Sequence, residues 1–227
     1  MVRLLIILLF LSIESVIGQN CNSLGFLKKG AEVELTSYDH KGKIVSVGKS
    51  KVLEVVSTAD NLEAKAETKS FNEKGKELFG GNVSVLCNGS RVSFSMKNMI
   101  AGDQMANMKN MEMKVDETML DYPNNISVGS SLKDGSFKAE MFSGGMKLMT
   151  MNFNITNRKV IGQESLTTPA GTFNCYKISY SGNMKTIVSM SFEVVEWYSP
   201  TIGLVKSETT RNGKSMGYTQ LTKAIVN

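Results

Sequence analysis

Short runs of alternating apolar and polar residues, separated by turn-forming residues, fill most of this chain. In residues 30–38, Val33 and Leu35 alternate with Glu32 and Glu34. Side chains two apart point to the same face of an extended strand, so this alternation predicts a β-strand with one solvated face. The same reasoning predicts strands over 43–56, 62–71, 83–87, 91–96, 138–142, 145–156, 158–166, 172–181, 187–198, 203–210 and 215–222.

The turn signals between these runs are short and local. Asn88-Gly89 lies between two alternating runs, which is typical of a tight β-hairpin. Residues 98–109 instead space their apolar side chains as in a short helix, and Asp121 to Asn125 break the strand pattern. We therefore predict an all-β fold, a curved antiparallel meander that forms an open β-barrel or half-barrel with one short helix.

Two segments, 108–115 and 146–153, repeat a pattern of methionines two residues apart. In strands, each segment would turn a soft apolar face in one direction. The residues that carry the pattern are Met111, Met113, Met149, Met151 and Phe153. Methionine adapts its shape to its surroundings, so these residues fill either a plain core or a ligand-binding cavity. Thioethers also bind Cu(I), although histidine and cysteine are not concentrated here, so no metal site is assigned.

The first eighteen residues have the organisation of a secretory signal peptide. Arg3 precedes an apolar run over 4–11, and Val16 and Gly18 are small residues before a cleavage site. The run is too short to span a membrane, and no longer apolar run follows it. Lipidation at Cys21 is disfavoured because Asn20 fits a lipobox poorly. We expect residues 19–227 to form a single domain that is periplasmic, secreted or at the cell surface.

Three cysteines and a lysine-rich composition constrain the chemistry further. An exported protein can join two of Cys21, Cys87 and Cys175 and leave one thiol free. All three pairings remain open, and Cys21–Cys87 is preferred because both residues lie beside turns. The formal net charge is +5, and the lysines are spread through many segments. Solvated strand faces explain this spread best, with weak attraction to anionic lipid or polysaccharide as the alternative. Nucleic-acid binding is disfavoured by export and by the lack of an arginine-rich patch.

Catalytic chemistry has little support in the sequence. The chain has one histidine, His40, and it lies in a predicted turn. No spacing supplies a serine or cysteine nucleophile with a base, and no nucleotide or metalloprotease motif is present. Glu164, Glu193 and Glu196 on predicted strands are candidates for a pair of glycosidase carboxylates. We assign no catalytic residue and no cofactor, and we predict that the protein is not an enzyme.

Several motifs in the chain resemble a known family. Residues 164–173 read ESLTTPAGTF, followed by Cys175-Tyr176-Lys177-Ile178. Residues 196–200 read EWYSP, followed by GLVKSE from Gly203. Leu120-Asp121-Tyr122-Pro123 and Asn157-Arg158-Lys159-Val160 belong to the same set. Together they resemble the exported TapB-like proteins, which are relatives of the DUF3108-like domain of unknown function in Gram-negative envelopes.

The resemblance implies a curved antiparallel sheet or open barrel, similar to the lipoprotein carriers LolA and LolB. It implies no reaction and no catalytic residues. The main hypothesis is therefore a non-catalytic exported envelope protein that binds an apolar or amphipathic, lipid-like ligand in a barrel cavity lined by the methionine-rich strands. The alternatives are a structural or assembly factor that binds envelope protein or polysaccharide, and a Cu(I)-binding protein.

Overall fold

A computed structural model describes residues 21, 24–58, 61–96 and 112–226 of the chain. The described residues form thirteen strands in one antiparallel sheet and a 3-10 helix at Gly25–Leu27. The strands are β1 (Glu32–Asp39), β2 (Ile44–Ser57), β3 (Leu62–Asn72), β4 (Glu77–Cys87), β5 (Arg91–Phe94), β6 (Glu112–Glu117), β7 (Leu120–Pro123), β8 (Gly135–Ser143), β9 (Met146–Thr168), β10 (Gly171–Lys185), β11 (Ser189–Ser199), β12 (Gly203–Arg211) and β13 (Lys214–Ile225).

The order of strands explains the curvature of the sheet. The order is β6-β8-β9-β10-β11-β12-β13-β1-β2-β3-β4-β5-β7, so β6 and β7 are the two edges. Only Thr118 and Met119 separate these edge strands in the chain. Three Cα–Cα steps of about 3.8 Å span about 11 Å at most, so the sheet must curl until its edges nearly meet. Among the described residues, no hydrogen-bonded pairing joins β6 to β7, so the sheet is open. The single curved antiparallel sheet confirms the predicted all-β fold.

The structure corrects the predicted elements in three places. Residues 120–123 form strand β7, although Asp121 to Asn125 had been expected to form only a break. Residues 146–168 form one long strand, because Asn157 has a φ of 59° and makes a bulge where two strands were expected. Strand β4 begins at Glu77 instead of residue 83, since its glycines still pair with β3. The predicted helix over 98–109 lies outside the described residues.

Two apolar cores lie on opposite faces of the β10–β11 hairpin. Ile178 and Tyr180 of β10 join the first core, which gathers mainly side chains of β7 to β11. Cys175 of β10 and Trp197 of β11 join the second core, together with the 3-10 helix, β2 to β5, β12 and β13. Both faces of this hairpin are therefore covered, as the apolar residues on both of its faces predict.

A disulfide fastens the start of the described chain beside the second core. The Cys21 and Cys87 sulfurs lie 2.01 Å apart across 66 residues of sequence, and Cys175 is free and buried. A sulfur in this bond is not available for attachment of a lipid through a thioether.

Candidate functional site

The two methionine-rich strands, β6 and β9, flank strand β8 at one edge of the sheet. Strand β8 pairs with β6 on one side and with β9 on the other. The register places Met113 opposite Met141 and Met141 opposite Met149, and we call these three residues the methionine row. Cross-strand partners on one face have Cβ atoms about 5 Å apart, so the three thioethers form one continuous stripe.

Exposure changes along this stripe. Met141 in the central strand is 0% exposed, whereas Met113 and Met149 are half-buried and pack against the first core. Met151 and Phe153, further along β9, are buried within the same core. Met111 lies outside the described residues. The structure therefore places four of the five predicted ligand-binding residues against one core, with only the methionine row reaching its margin.

A buried polar cluster lies in the same core and was not predicted from the sequence. It consists of Tyr122 from β7, Arg158 from β9, Tyr180 from β10, and Glu196 and Tyr198 from β11. The Tyr122 hydroxyl donates a hydrogen bond of 2.8 Å to Oε1 of Glu196, and its ring stacks on that of Tyr198 with centroids 4.2 Å apart.

Arg158 connects the cluster to the backbone of neighbouring segments by hydrogen bonds. Its side chain is 2% exposed, and Nη1 donates hydrogen bonds of 3.1 Å and 2.8 Å to the carbonyl oxygens of Asp121 and Lys133. The guanidinium carbon lies 4.8 Å from the ring centroid of Tyr122. Nε and Nη2 are buried without a hydrogen-bond partner in the described structure. Glu196 is the carboxyl of the cluster that interacts electrostatically with this buried cation.

Burial dominates the titration of the cluster. It raises the pKa of Glu196, although Arg158 and the hydroxyls of Tyr122 and Tyr180 act in the opposite direction. Burial also raises the pKa values of Tyr122, Tyr180 and Tyr198, so these hydroxyls stay protonated at neutral pH. Each side chain of the cluster is less than a tenth exposed. A substrate in solution cannot reach Glu196 unless the core opens. The cluster therefore connects strands inside the protein.

Sequence reasoning had a signal for part of this cluster. Arg158, Tyr122, and Glu196 with Tyr198 come from three of the motifs that carry the family resemblance. Read as single strands, each motif showed only a polar residue of unknown orientation. The register of β9, β10 and β11 brings Arg158, Glu196 and Tyr198 together, and that register depends on two irregularities in the β9–β10 pairing. Tyr122 reaches them from the opposite edge of the sheet because the sheet curls.

The other candidate carboxylates lie elsewhere. Glu193 accepts a hydrogen bond of 2.9 Å from Ser181, and Glu164 accepts one from the indole nitrogen of Trp197. The ammonium groups of Lys177 and Lys206 lie 4.9 Å and 5.1 Å from the Trp197 ring centroid. Trp197 is therefore a buried part of the second core covered by two cations. The structure does not unite the three glutamates in one site.

The remaining reactive groups are unsuited to nucleophilic catalysis. His40 is exposed in the turn after β1. Burial, together with the nearby Glu164 carboxylate, raises the pKa of the Cys175 thiol to about 11, so the nucleophilic thiolate is scarce. Within residues 21, 24–58, 61–96 and 112–226, no group of three or more His, Cys, Asp or Glu side chains could hold a metal ion. No helix in those ranges is both long and apolar enough to cross a membrane.

Two crystal structures share this fold. A protein from Bacteroides fragilis NCTC 9343, named as exported and as having a YmcC-like fold, is 23% identical with a TM-score of 0.75, covering 87% of this chain and 96% of its own. A protein from Parabacteroides distasonis ATCC 8503, named as a lipoprotein, is 24% identical with a TM-score of 0.76, covering 88% and 96%. No curated protein matches the chain.

The family assignment comes from the chain itself. The model of the DUF3108-like family matches residues 28–221, which include every strand from β1 to β12 and most of β13. The match confirms the membership that the motifs of the C-terminal third implied. The chain belongs to the DUF3108-like family.

Proposed function

We propose that the protein is an exported, non-catalytic binding protein that holds an apolar or amphipathic ligand at the methionine row. The observation that carries the proposal is the change in exposure along this row. Met141 is buried, while Met113 and Met149 on either side stay half-buried. Flexible thioethers at the margin of a core can repack around a guest with little loss of contact.

A binding role also agrees with the state of the reactive groups. The glutamate with a raised pKa, Glu196, is enclosed by tyrosines and an arginine. The free thiol of Cys175 is buried, and the histidine stands alone in a turn. Nucleophilic catalysis needs a nucleophile and a base within hydrogen-bond reach of each other and of a substrate. Among the described residues, an apolar contact surface is more evident than a nucleophile paired with a base.

Native mass spectrometry tests this function. Exported protein extracted under mild conditions should carry an additional hydrophobic mass that organic solvent removes. Met113→Gln with Met149→Gln should lower that occupancy by about tenfold or more, because each change places an amide of similar shape against the guest. Met216→Gln on the exposed surface of β13 is the matched control. An apo mass in every preparation, or equal occupancy in the double variant, would exclude ligand binding at the row.

The two alternative functions have separate readouts. A structural or assembly factor should retain an envelope protein or polysaccharide after Met149→Leu, since leucine keeps the core apolar. A Cu(I)-binding protein should compete with a chelator in an anaerobic titration and lose that competition in the same leucine variant. Retention of an envelope protein or polysaccharide without a co-purifying ligand would favour the structural or assembly factor. Competition with the chelator for copper would favour the Cu(I)-binding protein.

A further inference from the structure

Five turns lie at the same end of the barrel. Antiparallel pairing reverses the direction of every neighbouring strand, so alternate connections share one end of the sheet. We call this the hairpin end, and it consists of the turns at 40–43, 73–76, 144–145, 186–188 and 212–213 with their flanking residues. Successive turns are displaced in one sense along the sheet, which is the stagger that tilted barrel strands produce.

The hairpin end exposes its apolar side chains. Ile187, Val188 and Met146 are 94%, 73% and 71% exposed, and they are the most exposed large apolar residues of the described chain. They occupy the tips of two neighbouring hairpins, β10–β11 and β8–β9. Leu148, Ile44, Val45 and Met216 are exposed near the same turns. These apolar groups lie at the tips of separate hairpins, so a partner must reach more than one tip to cover them.

The same turns are strongly basic. Segments 39–45, 72–77, 142–148, 184–190 and 210–216 contain eight lysines and arginines and three acids. Their net charge is therefore +5, and the rest of the chain sums to zero because the whole chain is also +5. All eight cations are exposed, and in the described structure only Lys147 has an ion pair, at 3.5 Å from Glu140. The carboxylate of Asp39 accepts hydrogen bonds from the backbone of its own turn.

We propose that the hairpin end docks on the surface of an anionic lipid bilayer. The lysines and Arg211 would face lipid phosphates, while Ile187, Val188 and Met146 enter the headgroup region. A fluid bilayer can accept apolar tips at separate points, and its negative potential complements the net positive charge of these turns. The methionine row lies near this end, since Met149 follows the exposed Met146 by three residues.

Vesicle co-sedimentation tests the docking surface. The probe is exported protein whose intact mass shows neither a retained leader nor an attached lipid. It should bind vesicles of phosphatidylcholine mixed with phosphatidylglycerol more tightly than phosphatidylcholine alone. Binding should fall steeply between about 0.1 M and about 1 M salt, as the Debye length shrinks from about 10 Å to about 3 Å.

Paired variants assign the binding to this end. Lys147→Glu with Lys185→Glu should lower the partition coefficient by about tenfold or more. Lys28→Glu with Lys29→Glu reverses the same number of charges at the opposite end and should change it far less. Ile187→Asp with Val188→Asp should also weaken binding, whereas Val128→Asp, an exposed valine at the opposite end, should not.

Three results would overturn the proposal: equal binding to neutral vesicles, equal losses in the two lysine pairs, or no vesicle binding at all. Capture of an envelope protein that Ile187→Asp with Val188→Asp abolishes, without vesicle binding, would assign the end to a protein partner instead. None of these outcomes bears on a ligand at the methionine row, which is measured by mass.

Discussion

At the scale of single residues, Arg158 and Glu196 are two buried ionisable groups of one cluster that interact electrostatically. Removing one member leaves the other charge buried without compensation, which costs about 3–5 kcal/mol in comparable sites. We therefore expect Arg158→Met to lower the free energy of unfolding by about that amount. Adding Glu196→Gln should recover a large part of the loss, because the remaining cluster is then neutral. Chemical denaturation of the single and double variants measures the coupling, and additive losses would contradict it.

The titration of Glu196 makes a second prediction. Burial raises its folded-state pKa above the ordinary value of 4.5, so above that pH the folded state holds more protons than the unfolded state. The contribution of Glu196 to stability is therefore greatest at low pH and falls as pH rises towards the raised pKa. Exposed carboxyls with lowered pKa values, such as Glu32 and Glu140, act in the opposite direction.

The difference between wild type and Glu196→Gln isolates this effect, because the exposed carboxyls cancel. Relative to the variant, the wild type should lose stability progressively as pH rises above about 4.5. Urea denaturation at a series of pH values measures the difference. A difference that does not change with pH would mean that Glu196 titrates normally in the folded protein.

At the scale of elements, strands β6, β8 and β9 define the methionine face, and their central residue should matter most to stability. Met141→Ala removes a fully buried side chain and should cost about 2–5 kcal/mol, because a cavity remains. Met149→Leu keeps the volume at a half-buried position and should cost less than about 1.5 kcal/mol. Thermal or urea unfolding measures both. Similar losses in the two variants would mean that Met149 is packed as tightly as Met141.

Period-two alternation was enough to predict most of the elements, and with them the fold class. The β10 strand shows why, since Tyr176, Ile178 and Tyr180 alternate with Phe173 and Cys175 and reach the two cores as expected. Bulges were not predictable from alternation, because the residue at a bulge belongs to neither face, and Asn157 was therefore read as a strand end. The polar cluster was missed for a related reason. Its members come from four strands: register aligns those of β9, β10 and β11, and the curling of the sheet brings Tyr122 of the β7 edge to them.

At the scale of the whole molecule, the two cores share a single hairpin, so they should unfold together. Each face of β10–β11 supplies side chains to one core, and losing either core exposes apolar residues of that hairpin. Cooperative unfolding of a single domain makes transitions followed by different probes coincide. Trp197, the single tryptophan, reports on the second core, while far-ultraviolet circular dichroism reports on the entire sheet.

We therefore expect Ile155→Ala, in the first core, to shift the tryptophan fluorescence transition. Val205→Ala, in the second core, should likewise shift the circular dichroism transition. The size of each shift should be in proportion to the loss of stability in that variant. Both side chains are fully buried, and the isoleucine change should cost about 2–5 kcal/mol. Urea titrations with both probes should give one midpoint for each variant with an unchanged m-value. If Ile155→Ala moved only the circular dichroism and left the Trp197 transition in place, the two halves of the barrel would be separate folding units joined by a passive hairpin.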